Sequence, residues 1–209
     1  MTAEDSSIEA LGALADPVRR ALYRHVADAA EEVGRDAAAA AAGVSRSLAA
    51  FHLDKLVDAG LLAVSYRRPP GRGGPGAGRP AKVYRRAEAE FAVALPPREY
   101  GAAGRLLAEV VERAGLDREL QAAARAAGSA EQPSDVLAAL RERGYAPFLD
   151  GEVVRLRNCP FHALADEFPA LVCGMNLALL EGLAGEGWTP AMDPCAGGCC
   201  VSLSKNNNH

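Results

Sequence analysis

Five cysteines, Cys159, Cys173, Cys195, Cys199 and Cys200, fall within the last 51 residues of this 209-residue chain; the first 158 residues contain none. Thiols gathered at one end imply convergence on one object, through metal or redox chemistry. As thiolates they ligate soft metals, and in pairs they exchange with disulfides. Thirteen residues separate Cys159 from Cys173, and twenty-one separate Cys173 from Cys195. These gaps fit neither the paired C-x2-C knuckles of a zinc ribbon nor the spacings of a ferredoxin. The spacing marks a thiol site without naming what it holds. His162, three residues after Cys159, could join it, but the available cysteines make a supporting or packing role the better reading. Met175 and Trp188 read as core.

The elements that must carry these thiols are legible in outline. Tyr145–Leu149 and Glu152–Asn158 read as two strands joined at Asp150-Gly151, a hairpin signal. Cys159-Pro160 follows, and Phe161–Ala165 turns helical. A helix over about Phe168–Leu183 carries Cys173 near its start. Asp193-Pro194-Cys195-Ala196-Gly197-Gly198-Cys199-Cys200 then leads into a final strand, about Cys199–Leu203.

At the other end, Asp16-Pro17 opens a helix to about Ala29, with Val18, Leu22 and Val26 along one face. A second helix, about Arg35–Ala42, stops at Gly43. Ser45 is placed to cap a third, about Arg46–Ala59, with Leu48, Phe51, Leu56 and Val57 expected inward and Gly60 closing it. Two short helices joined by so tight a turn match a helix-turn-helix. The second helix of that motif enters the major groove of DNA, which nominates Ser45, Arg46, Ser47, Ala50, His52 and Lys55 as exposed candidates. Arg46 is the best base reader, because a guanidinium bridges two acceptors on guanine.

Leu61–Tyr66 and Ala81–Arg86 read as the strands of a wing around a Gly- and Pro-rich connection. Leu61–Arg86 holds seven basic residues (Arg67, Arg68, Arg72, Arg79, Lys82, Arg85, Arg86) and no acid, although the whole chain carries a net charge of −4. Arg67, Arg68, Arg72 and Arg79 suit phosphates or the minor groove. Residues 91–209 reverse the balance, with 10 basic and 15 acidic residues. The basic charge is local, as a nucleic-acid contact requires, rather than general.

Between the two ends, Pro96-Pro97 breaks the chain and Arg98 opens a helix to about Ala114 with an apolar stripe, Leu106, Leu107, Val110 and Val111. A further helix runs over about Asp117–Ala127. The stripe is expected to pair two copies, since two-fold dimers read palindromic operators. Gly128–Pro133 is a linker, and Ser134 is expected to cap a helix ending near Gly144. No run of about 18 apolar residues marks a membrane span. The acidic N-terminus lacks a signal-peptide core, so the expected compartment is the cytoplasm, where disulfides are disfavoured. A dinucleotide fingerprint, a P-loop and a C-x-x-C motif are all missing, so the expectation is a regulator and not an enzyme.

Two resemblances sharpen this. Leu14-Ala15-Asp16-Pro17-Val18-Arg19-Arg20-Ala21-Leu22, the segment Phe51–Leu62, and Gly78-Arg79-Pro80-Ala81-Lys82-Val83-Tyr84 resemble the first long helix, the recognition helix and the returning wing strand of ArsR-type repressors. Leu156-Arg157-Asn158-Cys159-Pro160-Phe161-His162-Ala163-Leu164-Ala165, Leu171-Val172-Cys173-Gly174-Met175-Asn176, and Asp193-Pro194 with Cys199-Cys200 resemble the sensor half of SufR-type regulators. These are repressors of iron–sulfur assembly genes that carry a 4Fe–4S cluster. The resemblance implies Cys159, Cys173 and Cys199 as cluster ligands. Side chains alternate along a strand, so Cys199 and Cys200 are not expected to reach one iron together. Cys195 is therefore preferred as the fourth ligand, with Cys200 the alternate.

The expected fold is α+β: a winged helix-turn-helix over 1–90, a helical dimerisation linker over 91–133, and a small α/β sensor over 134–209. The expected function is a homodimeric, operator-binding repressor controlled by the cluster. The alternative is a zinc- or arsenite-responsive, or thiol-redox, ArsR-like regulator with a structural metal site.

Overall fold

The computed structural model describes residues 3–29, 31–68, 80–195 and 198–206. The chain divides into two compact units, Met1–Arg98 and Glu99–His209, each with its own apolar core. The expected linker is thereby divided. Phe91 packs on the core of the first unit, whereas the helices after residue 98 belong to the second.

In the first unit α1 (Ala3–Ala13) precedes α2 (Pro17–Asp28). Asp16 starts α2 because its Oδ1 accepts the backbone N–H groups of Val18 and Arg19, both at 2.9 Å. Pro17 brings no N–H of its own to leave unpaired in the first turn. α3 (Arg35–Ala42) ends at Gly43, whose φ of 64° lies in the left-handed region that glycine enters without a Cβ penalty. Ser45 then caps α4 (Arg46–Asp58) by accepting the Leu48 N–H at 3.3 Å. Helix, tight turn and helix make the helix-turn-helix.

β1 (Val33–Gly34), β2 (Leu62–Arg67) and β3 (Ala81–Arg86) form an antiparallel sheet in the order β1-β3-β2. Leu62 lies opposite Arg86, and Arg67 opposite Ala81. These are the flanks of a wing, within a residue of the sequence expectation. The connection that carries Arg72 and Arg79 lies outside the described residues.

The burial of α4 differs from the sequence expectation. Ala49, His52, Leu53 and Leu56 face the core, while Leu48 and Phe51, expected inward, are exposed. The stripe 49-52-53-56 is itself a helical i, i+3, i+4, i+7 face. It was hidden in the sequence because its first member is alanine and its second histidine.

The second unit begins with α5 (Tyr100–Ala114) and α6 (Asp117–Ser129). α7 (Val136–Glu142) is capped by Asp135, one residue later than the expected Ser134, through acceptance of the Ala138 N–H at 3.1 Å. β4 (Pro147–Asp150) and β5 (Val153–Leu156) form the expected hairpin, with Gly151 at φ 63° in its turn. α8 (His162–Glu167) and α9 (Pro169–Ala184) follow. β6 (Trp188–Met192), which the sequence did not suggest, and β7 (Val201–Lys205) complete an antiparallel sheet in the order β4-β5-β7-β6. β7 starts two residues later than expected, so Cys199 and Cys200 precede the strand. The alternation argument that separated them does not apply.

α9 packs closely along α6. A Cβ on Gly128 would overlap the Leu179 carbonyl oxygen, and one on Gly182 would overlap that of Arg125. The two backbones approach there as only glycine permits. Arg125 and Glu181 pair across the same seam.

Candidate functional site

The reading helix comes first. Ser45, Ser47 and Arg46 stand exposed at the start of α4, and Lys55 lies further along it. The Ser45 and Ser47 hydroxyls share a hydrogen bond of 3.1 Å. Arg46 Nε is 2.6 Å from Asp36 Oδ1 at the start of α3, and Lys55 Nζ is 3.7 Å from Asp58. Arg67 pairs with Glu31 at 3.8 Å, and Arg68 is exposed at the end of the described wing. His52, expected on the open face, is instead 8 % exposed, and its Nδ1 has no partner among the described residues. Phe51 takes the open position, 57 % exposed, an apolar surface of the kind that meets thymine methyl groups.

Behind the helix lies an ionic hub that the sequence did not reveal. Asp54 of α4 accepts from Lys82 Nζ at 2.6 Å and from the Tyr84 hydroxyl at 2.9 Å, both on β3. Arg35 of α3 reaches Asp54 at 3.4 Å and donates to the Tyr84 hydroxyl at 3.0 Å. Partial burial opposes ionisation of Asp54, but the hydrogen bonds from Lys82 and Tyr84 prevail and hold its carboxyl below the ordinary carboxylate value. The hub fixes the recognition helix to both the preceding helix and the wing. A cleft of about 500 Å3, lined among others by Arg35, Asp36, Arg46, Tyr66 and Lys82, opens beside it. Basic donors around a concavity next to a reading helix suit a phosphate backbone.

The thiols form the second assembly. Cys159 follows β5, Cys173 lies in the first turns of α9, and Cys199 and Cys200 sit just before β7. Cys159 and Cys199, Cys173 and Cys200, and Cys199 and Cys200 lie near enough for each thiol to shift the ionisation of the other. Four thiols from three separate segments are therefore gathered in one region. Cys195 is set differently, its Sγ donating to the Cys199 carbonyl at 3.7 Å. The full set of five thiols is unpaired by disulfides. Among the described residues, no three His, Cys, Asp or Glu side chains stand close enough to hold a metal ion as they are, so ligation would have to draw the thiols together.

Several N–H groups lie near sulfur. The backbone N–H groups of Phe161 and Val201 favour the charged forms of Cys159 and Cys199, respectively. Asn176 Nδ2 donates to Cys199 Sγ at 3.2 Å, and Asn176 Oδ1 accepts from the Tyr145 hydroxyl at 2.6 Å. The neighbouring Cys199 thiol holds Cys159 below the ordinary thiol value, and Cys159 in turn, with burial, pushes Cys199 up. Burial raises Cys200 and pushes Cys173 up to about 12, and the neighbouring Cys200 thiol adds to the rise of Cys173. Burial likewise raises Tyr145.

The surrounding loop is fixed by polar ties. Arg155 of β5 pairs with Asp150 at 2.8 Å and with Asp193 at 2.9 Å. The Asp193 N–H donates to the Cys200 carbonyl, and the Cys199 N–H to that of Leu156, both at 2.8 Å. A Cβ on Gly198 would sit 2.8 Å from Cys195 Sγ and 2.9 Å from the Leu156 carbonyl oxygen, so the loop lies too close for a side chain there. His162 is exposed, with Asp166 at 3.5 Å as its partner when protonated. Asn176 and Arg155 went unremarked in the sequence. The signal for Asn176 was present, as a lone amide three residues after Cys173 in a mostly apolar helix.

Comparison with known proteins bears on the first assembly. Residues 14–65 match a family described as a helix-turn-helix domain. No curated protein and no solved structure matches the chain. The match and the wing strands agree on a winged helix-turn-helix, the DNA-binding head of transcription regulators. No helix among the described residues is long and apolar enough to cross a membrane.

Proposed function

We propose that the protein is a homodimeric, cytoplasmic transcription regulator, not an enzyme, whose affinity for double-stranded operator DNA depends on a 4Fe–4S cluster in the second unit. The observation that carries this reading is the gathering of Cys159, Cys173, Cys199 and Cys200 from three segments of chain into one region. The donor set fits such a group. Cluster-binding sites are built from cysteine sulfur, with hydrogen bonds to that sulfur tuning them. Here the Asn176 N–H already donates to Cys199, and the Phe161 and Val201 N–H groups favour the charged forms of Cys159 and Cys199. The fourth ligand is better taken by Cys200, which lies near both Cys173 and Cys199, than by Cys195, whose thiol is turned to a carbonyl.

When bound, the cluster supplies a covalent tie among the three segments. The rest belongs to the chain. Arg155 and Asp193 hold the Cys195–Cys200 loop against the β4–β5 hairpin, and the α6–α9 seam holds Cys173. Losing the tie would leave the Arg155–Asp193 pair and the α6–α9 seam alone to hold the three segments. A 100-fold change in operator affinity needs only about 2.7 kcal/mol of coupling. Arg46, Ser45, Ser47 and Lys55 would meet the major groove, with Arg67, Arg68, Arg72 and Arg79 on flanking phosphates. α5 supports the dimer, because Leu106, Leu107 and Val110 are all more than half exposed on one amphipathic helix. Resemblance to SufR-type regulators points to iron–sulfur assembly genes as targets, and to repression by the loaded form.

Anaerobic purification followed by visible absorption, iron and acid-labile sulfide assays tests the cofactor. About four iron and four sulfide per chain are expected. A colourless protein with stoichiometric zinc and no sulfide would replace this reading with the zinc-site alternative.

A further inference from the structure

Apart from Glu181 on the α6 seam, α9 carries one polar side chain, Asn176, and it is buried. Val172 and Leu180, one turn either side of Asn176 on the same face, are buried hydrocarbon, yet Asn176 itself is 0 % exposed. A leucine would serve packing equally well, and a buried amide persists only where its polar atoms are used. They are used in sequence. The Tyr145 hydroxyl, also 0 % exposed, donates to Oδ1 at 2.6 Å, and Nδ2 donates to Cys199 Sγ at 3.2 Å.

The order matters. Tyr145 on Oδ1 fixes which way the amide faces, leaving Nδ2 toward the sulfur. The reversed amide would aim a carbonyl oxygen at Cys199, an acceptor facing an acceptor once that sulfur is a thiolate. Two fully buried polar side chains from different elements are thus spent on one N–H aimed at one sulfur. A neutral thiol has little need of such a donor, whereas a charged, metal-bound sulfur gains from it.

We propose that Asn176, clamped by Tyr145, is the positioning residue of the thiol site: it holds an N–H on the Cys199 sulfur, fixing that sulfur as a metal ligand and strengthening metal retention. The proposal rests on the reading that Cys199 ligates a metal, but not on that metal being an iron–sulfur cluster. Donors of this kind contribute about 10–100-fold to metal affinity. They also shift the reduction potential of a thiolate-bound cluster, because an N–H on sulfur favours the more negative, reduced state.

The test uses the full chain, stripped of metal under anaerobic conditions and titrated with Co2+ against a competing chelator. Cobalt reports thiolate ligation through sulfur-to-metal charge-transfer absorption. Asn176→Leu is expected to lose about 10–100-fold in cobalt affinity, with charge-transfer bands moved to lower energy. Tyr145→Phe, which frees the amide to turn, is expected to lose less, in the same direction. Circular dichroism of the metal-free forms checks that both fold. Where protein is reconstituted with iron and sulfide, both variants should show a more negative potential.

A folded Asn176→Leu with wild-type affinity and band energies overturns the proposal, as does wild-type protein that binds cobalt without thiolate bands. If Asn176→Leu does not fold, Tyr145→Phe decides, and wild-type behaviour there overturns the proposal. Cobalt behaving as expected in a protein that takes up no iron and sulfide supports the role of Asn176 and removes the cluster reading alone. A normal cluster with unchanged variants removes the Asn176 role alone.

Discussion

Gly182→Ala should destabilise the second unit, while the same substitution at Gly104 should stabilise it. A methyl at Gly182 meets the Arg125 carbonyl oxygen, with the Ser129 N at 2.8 Å and its Oγ at 3.0 Å. The first two are backbone atoms of α6 and cannot rotate away, so α6 and α9 must separate. Overpacking of this kind costs about 1–3 kcal/mol, against about 1 kcal/mol gained from the better helix propensity of alanine. Because the obstacle is backbone, the upper part of that range applies, and the net cost is about 2 kcal/mol. At Gly104 of α5 the new methyl meets nothing within 4 Å among the described residues, so only the propensity gain of about 0.5–1 kcal/mol remains. Trp188, the single tryptophan, lies on β6 of the same unit and gives a fluorescence signal for urea denaturation. For a unit of about a hundred residues, a loss of 2 kcal/mol lowers the thermal midpoint by about 8–16 °C. Separation of the seam also moves α9, so metal retention should fall with it. Equal or greater stability for Gly182→Ala would refute the close-packed seam.

Three further outcomes are expected. Asp54 has a folded-state carboxyl value below its unfolded one, so its contribution is present above about pH 4 and is lost as pH falls through the folded value. Asp54→Asn should remove that acid limb and cost about 1 kcal/mol at neutral pH, discounted for solvent screening of a partly exposed group; denaturation at pH 7 and pH 3 measures both, and an unchanged acid limb would contradict the assignment. Cys200→Ser should lose the bound metal while Cys195→Ser keeps most of it, read by metal content after anaerobic reconstitution, and the reverse order would restore Cys195 as the fourth ligand. Leu107→Glu on α5 should shift the protein to monomer in sedimentation equilibrium without unfolding it, whereas an unchanged dimer would place the interface elsewhere.

Local signals carried the first unit well. Asp16-Pro17, Gly43 and Ser45 each act through backbone groups of their own helix ends, and all three do what their side chains dictate. Asp150-Gly151 made its hairpin for the same reason. What the sequence hid depends on partners distant in the chain. The Asp54 hub needs residues 19, 28 and 30 positions away, and the Asn176 donor needs Tyr145 and Cys199. β6 was obscured by Pro190 within it, a residue uncommon in strands but tolerated where β6 lies at the sheet edge. The α4 face was misjudged because large residues were assumed to be buried, although small Ala49 and polar His52 occupy the core side. The last strand was begun two residues early, so the alternation argued for Cys199 and Cys200 falls on backbone that is not strand.

Operator binding with and without the cofactor tests the central claim most directly. A selected duplex, titrated by fluorescence anisotropy at fixed salt, would be compared between protein reconstituted with iron and sulfide and the same preparation stripped of both. Tighter binding by the loaded form, on the order of 100-fold and carried by specific over scrambled DNA, is the expected result. Equal affinity in the two states, with the cluster demonstrably present in one, would contradict it.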